Sequence, residues 1–180
     1  NTSSTPLSTW LLATTTSMMT GTEGSSICRS TDGGATWSRV PYVDRIMYVY
    51  ATLATGFPSA SLYAGGQGKV WRSTDDGATW SSTPIETLLE RTSHIIALSA
   101  GPRPNVVYAG TKDMGVYCSN DDGATWSPVS EGLGVKPQVL GLACIKGVMY
   151  ACTATGTYAL DESKALWTGV STATSNRKTV

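Results

Sequence analysis

Glycoside hydrolysis needs two carboxyl groups roughly 5–10 Å apart, one to protonate the leaving oxygen and one to attack or to activate water. Asp44, Glu86, Glu90, Asp113 and Glu131 are available for such a pair, and each also reads as a solvated loop charge. His94 is the single histidine, which excludes poly-histidine metal sites. Its setting beside Ile95-Ile96-Ala97-Leu98 suggests no Ser-His-Asp arrangement either. Gly65-Gly66-Gln67-Gly68 is glycine-rich but is not followed by a helix, so it lacks the geometry that cradles a phosphate. The residues therefore nominate no catalytic group, no metal ligand and no cofactor.

What must position any site is a repeat. Ser30-Thr31-Asp32-Gly33-Gly34-Ala35-Thr36-Trp37 recurs as Ser73-Thr74-Asp75-Asp76-Gly77-Ala78-Thr79-Trp80 and as Ser119-Asn120-Asp121-Asp122-Gly123-Ala124-Thr125-Trp126. A degenerate copy, Leu160 to Trp167, keeps the alanine and the tryptophan. The period is about 40–50 residues, the signature of a solenoid or propeller array in which no unit buries its apolar face alone. Before each octapeptide lie short β-rich runs, such as Leu62-Tyr63-Ala64-Gly65 then Lys69-Val70-Trp71-Arg72. Further upstream, Ile46–Tyr50, Ile95–Leu98 and Val139–Ala143 are apolar enough for strands buried on both faces. Each unit thus reads as four strands, A to D, with the octapeptide as the C–D hairpin: its aspartate accepts backbone N–H groups and its glycine takes a positive φ. The closing tryptophan packs back over the turn.

The octapeptide resembles the Asp box, Ser-x-Asp-x-Gly-x-Thr-Trp, also called the BNR repeat, and the likeness runs from about Leu11 to Val170. Asp-box β-propellers include sialidases, xyloglucan-active glycoside hydrolases, sortilin-type receptors and Ycf48-like assembly factors. The resemblance implies an all-β fold of about four four-stranded antiparallel blades, either a small ring or an open arc of a larger propeller. It also implies a structural role at the blade rim for Asp32, Gly34, Trp37, Asp75, Gly77, Trp80, Asp121, Gly123 and Trp126. Arg39-Val40-Pro41 follows an Asp box where the arginine motif of sialidases precedes the first one, so it is discounted as a substrate clamp.

The 180 residues are expected to form one domain, with units near 1–41, 42–86, 87–131 and 132–170 and a tail or closing strand at 171–180. Lysine plus arginine and aspartate plus glutamate number 13 each, so no net field attracts nucleic acid or an anionic membrane. No apolar run approaches the ~20 residues that span a bilayer. Abundant serine and threonine, sparse lysine and the sequon Asn1-Thr2-Ser3 point to an exported, extracellular or periplasmic chain with a glycosylation acceptor at Asn1. The four cysteines lack a C-x-x-C. If Lys146-Gly147 is a two-residue hairpin loop, Cys144 and Cys152 face opposite sides, and all four cysteines read as small core or edge residues.

In a four-strand meander the A–B and C–D turns lie at one end and the B–C and D–A connections at the other. The second end is the candidate binding face, with Tyr42, Asp44, Arg45, Glu86, Arg91, Lys112, Asp113 and Glu131 as its nominated residues. Only three A strands are visible for four B–C–D sets, so the first unit looks short, with Thr5–Trp10 or the C-terminal segment as the missing strand. An open arc would leave strand edges to pair with another chain. The functional expectation is a non-enzymatic module that binds protein or glycan and self-associates or joins a partner through those edges. The alternatives are part of a carbohydrate-active enzyme, with Tyr42, Tyr48 and Trp71 along a sugar groove, and an assembly factor for a membrane complex.

Overall fold

The structure, a computed structural model, describes residues 8–14, 16–22, 27–40, 51–54, 61–85 and 93–170. They form strands and no helix. β1 (Ser8–Ala13), β2 (Met18–Thr22), β3 (Ile27–Ser30) and β4 (Ser38–Arg39) make the first sheet, and β5 (Ala51–Ala54), β6 (Leu62–Gly65), β7 (Lys69–Ser73) and β8 (Ser81–Pro84) the second. β9 (Ile95–Ala100), β10 (Val107–Thr111), β11 (Val116–Ser119) and β12 (Ser127–Pro128) make the third, and β13 (Val139–Ile145), β14 (Val148–Thr153), β15 (Gly156–Asp161) and β16 (Leu166–Gly169) the fourth. Every sheet is an antiparallel meander in chain order.

The first sheet is not short of a strand. β1 pairs with β2 through Leu11↔Thr20, Leu12↔Met19 and Ala13↔Met18. The turn between them contains no glycine or proline and is closed by hydroxyls: Thr14 Oγ1 accepts the Ser17 N–H at 2.9 Å, and Thr14 N donates to the Ser17 carbonyl at 2.8 Å. That is why a search for ordinary turn residues passes over it. The expected strand at Ile46–Tyr50, the acceptor Asn1 and the tail 171–180 lie outside the described residues. Lys146 and Gly147, with φ of 51° and 79°, form the two-residue loop that joins Ile145 to Val148. Cys144 accordingly pairs with Met149 and Cys152 with Gly141, and all four cysteines are free thiols.

The sheets stack as blades, with first strands packing in succession: β1 on β5, β5 on β9 and β9 on β13. Cores lie between sheets. Met19, Ile27 and Val40 meet Leu62, Ala64 and Trp71; Tyr63, Val70 and Ile85 meet Ile95, Val107, Ala109 and Tyr117; Ala97, Val106, Tyr108 and Val116 meet Val139, Met149, Ala151, Leu160 and Trp167. Strand β6 shows how alternation serves this stacking, since Leu62 and Ala64 face the first sheet while Tyr63 faces the third. Among the described residues the succession runs from β1 to β13, with Leu11 and Trp37 exposed on the first sheet and Ile145 and Val148 exposed on the fourth.

Polar latches join neighbouring blades. Asp76 sits in the left-handed region (φ 57°) and turns its carboxylate to the first sheet, where it accepts from Thr14 Oγ1 at 2.7 Å, Thr16 Oγ1 at 2.6 Å and Arg29 Nη2 at 3.1 Å. Asp122 (φ 60°) takes the same position one blade on and accepts from Tyr63, Arg72 and Ser61. In the fourth blade Glu162 accepts from the Tyr108 hydroxyl at 2.9 Å and pairs with Arg103 at 3.5 Å. Burial and the bond to the neighbouring carboxylate raise the pKa of both Tyr63 and Tyr108, so each hydroxyl stays protonated and donates.

Burial raises the Asp76 pKa, but the hydrogen bonds from Thr16, Thr14, Ser17 and Arg29 outweigh it and hold the group at about 2 against an ordinary 3.8. A carboxyl depressed on folding contributes stability that is present above its unfolded value and is lost as pH falls through the folded one. The denaturation midpoint should therefore drop between about pH 4 and pH 2. Asp76→Asn, followed by urea titration at each pH, should flatten that drop while lowering stability at neutral pH.

Candidate functional site

At the octapeptide end the aspartates are consumed by their own turns. Asp32 Oδ1 accepts the Ser30 hydroxyl at 2.7 Å and the Thr36 N–H at 2.9 Å, and Trp37 Nε1 donates to the Gly34 carbonyl at 3.1 Å. The same bonds to aspartate recur around Asp75 and Asp121. Hydrogen bonds from Thr36 and Ser30 hold Asp32 at a pKa of about 2. Oxygens so engaged are poor ligands for anything outside the turn.

The opposite end is stitched differently. The B–C turns of the second, third and fourth blades are tied by backbone bonds to the links between blades: Gly68 N to Ser93 O at 2.9 Å, Lys112 N to His94 O at 2.9 Å, Gly115 N to Pro137 O at 3.2 Å and Ala154 N to Gln138 O at 3.3 Å. The described turns of the second, third and fourth blades and the link residues 93–94 and 137–138 thus share one end of the fold. That end brings together segments far apart in sequence, as the meander topology requires.

Of the eight nominated binding residues, Tyr42, Asp44, Arg45, Glu86 and Arg91 lie outside the described residues. Lys112 and Asp113 are on this surface and exposed, with Asp113 accepting the Ser93 hydroxyl. His94 joins Gln67 in an isolated bridge; burial, then the Lys112 charge, lower its pKa against the opposing pull of Asp113, which favours the neutral imidazole. Glu131 is exposed, and its backbone carbonyl accepts the Trp167 N–H at 2.8 Å.

A cleft of about 470 Å³ on this surface lies between the link Gly132–Gln138 and the turn Thr153–Thr155, with Tyr158 in its wall. Leu133 is buried beneath it, and Val135 stands 95% exposed at the rim. Its hydroxyls are ordered: Thr153 Oγ1 donates to the Gly156 carbonyl at 3.0 Å, and Thr155 Oγ1 and the Tyr158 hydroxyl are 3.1 Å apart. Sequence reasoning assigned the B–C turns and D–A links to this end but nominated neither Val135 nor Tyr158, since nothing in an isolated valine or tyrosine marks it as a rim residue. A second recess of about 380 Å³ lies between Thr83–Ile85 and Trp126 on the outer side of the second and third blades. The described residues hold no helix long and apolar enough to cross a membrane and no acidic, histidine or cysteine cluster able to hold a metal ion.

Comparisons with known proteins agree with this architecture. The structure is similar to an ancestral GH74 enzyme (TM-score 0.70, 15% identity, 91% of this chain and 24% of that one). It is similar to the extracellular domain of a B. thetaiotaomicron one-component system (TM-score 0.72, 11% identity, 94% and 23%). It also resembles YCF48 bound to D1 peptide (TM-score 0.60, 18% identity, 84% and 50%). The chain thus spans about a quarter of the length of the first two. No curated protein matches it. Residues 25–137 match the family model described as Sortilin-Vps10, "Sortilin, neurotensin receptor 3". That match takes in more than half of the sequence, with the second and third blades whole and β3 and β4 of the first, and the chain belongs to the Sortilin-Vps10 family of β-propeller domains.

Proposed function

We propose that this chain is a non-enzymatic propeller segment that works outside the cytoplasm, as a unit of a larger assembly, and recognises an extended polypeptide at its turn-and-link end. The observation behind this reading is the cleft of Leu133, Val135, Pro137 and Tyr158 with the ordered Thr153 and Thr155 hydroxyls. Apolar side chains at a rim suit the side chains of a peptide, while backbone and hydroxyl groups suit its amides. The likeness to an extracellular domain supports the location, and one similar structure is of a peptide complex. Asp113, the nominated carboxylate on this surface, is already committed to Ser93, which disfavours it as a general acid or base.

Selection from a displayed random-peptide library, run beside a glycan array, tests the reading. Peptides should be enriched, and Val135→Asp, which alters only an exposed rim, should weaken their binding at least about tenfold, the equivalent of 1.4 kcal/mol. Glycan binding or glycan hydrolysis lost on Tyr158→Ala, with no peptide selected, would favour the carbohydrate-active alternative suggested by the GH74 likeness. Retention of membrane-complex subunits without peptide selection would favour the assembly-factor reading.

A further inference from the structure

We propose that the cleft between Gly132–Gln138 and Thr153–Thr155 takes a peptide segment with an acidic side chain, one backbone N–H of that segment donating to the Tyr158 hydroxyl oxygen and the carboxylate pairing with Lys136. This rests on the reading of the cleft as a peptide site, and adds the polarity and charge of what it selects.

The direction of the hydroxyl row in the cleft follows from counting hydrogens. Thr153 Oγ1 carries one hydrogen and two lone pairs. It accepts the Thr155 N–H at 3.1 Å and donates its hydrogen to the Gly156 carbonyl at 3.0 Å. Its remaining lone pair meets Thr155 Oγ1 at 3.0 Å, so the hydrogen of that bond comes from Thr155. With its hydrogen committed, Thr155 can only accept from the Tyr158 hydroxyl, 3.1 Å away. The row runs one way, from Tyr158 through Thr155 and Thr153 to the Gly156 carbonyl. The third blade repeats the anchoring end: Thr111 Oγ1 accepts the Met114 N–H at 2.9 Å and donates to the Gly115 carbonyl at 2.8 Å. Thr155 and Tyr158 keep only lone pairs for a ligand, which must bring donors. An anion placed on this row would meet oxygen against oxygen.

The row is particular to the fourth blade. Tyr158 holds the register position of Tyr117, opposite Ala151 as Tyr117 is opposite Ala109. Tyr117 is 3% exposed, with Met114 packed against its cluster. The fourth-blade turn is one residue shorter and offers Ala154 and Thr155 instead, and Tyr158 stays half-buried in the cleft wall.

The charge comes from the link. Lys136 is the one charged residue lining the cleft; it is exposed, and no ion pair engages it among the described residues. Its backbone is braced: Leu133 is buried on one side, and on the other the Pro137 and Gln138 carbonyls accept the Gly115 N–H at 3.2 Å and the Ala154 N–H at 3.3 Å. A cation on one wall and bare acceptors on the other call for a ligand with a carboxylate and an N–H at separate places, which an acidic residue in an extended chain supplies.

Peptide selection against the chain and its Lys136→Glu variant, followed by affinity measurement, tests both contacts. Peptides for the unaltered chain should share Asp or Glu at one position, and those for Lys136→Glu should carry Lys or Arg there, an exchange that loss of folding cannot produce. Amidating the C-terminus of a selected peptide should leave its affinity unchanged; loss of binding on amidation would place the carboxylate at the chain end and overturn the side-chain assignment. Methylating its amides one at a time should reveal one N–H whose loss weakens binding about fivefold, the size of one neutral hydrogen bond. That loss should vanish in Tyr158→Phe, which keeps the ring; if it persists, the contact to Tyr158 is overturned. Selected peptides that bind at the cleft without acidic preference, and with the same sequences for Lys136→Glu, would overturn the inference and leave the cleft as a peptide site. Failure to select any peptide would remove both.

Discussion

Asp122→Ala should lower the unfolding free energy by about 3 kcal/mol, well beyond the effect of the neighbouring Asp121→Ala. Asp121 is the consensus residue, but it is exposed and its bonds to Ser119 and Thr125 are local to one turn. Losing them costs about 1 kcal/mol. Asp122 occupies a variable position of the motif, and its removal takes the charged acceptor from two groups of another blade. The Tyr63 hydroxyl, on a fully buried residue, loses its carboxylate acceptor, and Arg72, with its side chain 31% exposed, loses its counter-ion. The partial exposure of Arg72 is why the figure sits at the lower end of the range for breaking a buried pair. Alanine also fits poorly at φ 60°. Urea titration of the two variants side by side decides the order, and Asp122→Asn, which tolerates that φ and keeps an acceptor, should recover part of the loss.

Trp167→Ala should cost about 3–5 kcal/mol, the range for removing a large buried aromatic. Trp167 closes the degenerate octapeptide yet is the most deeply buried of the four closing tryptophans. The link from the third blade folds over it: its Nε1 donates to the Val129 carbonyl at 2.6 Å and its backbone N–H to Glu131. Around it lie Leu133, Val139, Met149 and Leu160. Trp37→Ala, at the exposed tryptophan of the first sheet, should change stability by under about 1 kcal/mol, as expected of a surface side chain. Equal effects of the two substitutions would contradict this difference in burial.

The repeat period and the alternation within runs such as Leu62–Gly65 made the stacking of four-stranded sheets legible, because both follow from backbone geometry that any sequence must respect. The Lys146-Gly147 loop fixed the register of Cys144 and Cys152 for the same reason. The first strand, Ser8–Ala13, was anticipated only in part, through Thr5–Trp10 as one of two candidates, because its turn is closed by threonine and serine hydroxyls instead of glycine. The latches were missed because each joins residues from different blades, such as Tyr63 with Asp122. Their local signal was present: an acid recurs after the consensus aspartate at Asp76 and Asp122, and Arg29 and Arg72 recur before the octapeptide. Only the packing of one blade on the next pairs them. At the turn-and-link end, sequence placed Lys112, Asp113 and the loop segments together, but not the rim made by Val135 and Tyr158, whose exposure depends on how the link crosses the fourth blade.

The claim that this chain works by recognition at its turn-and-link end is tested most directly by amide hydrogen exchange with and without a selected peptide. Protection confined to residues 132–138 and 153–158, with the octapeptide turns unchanged, is the predicted result. Protection centred on the turns at Asp32, Asp75 and Asp121, with none at the cleft, would contradict it.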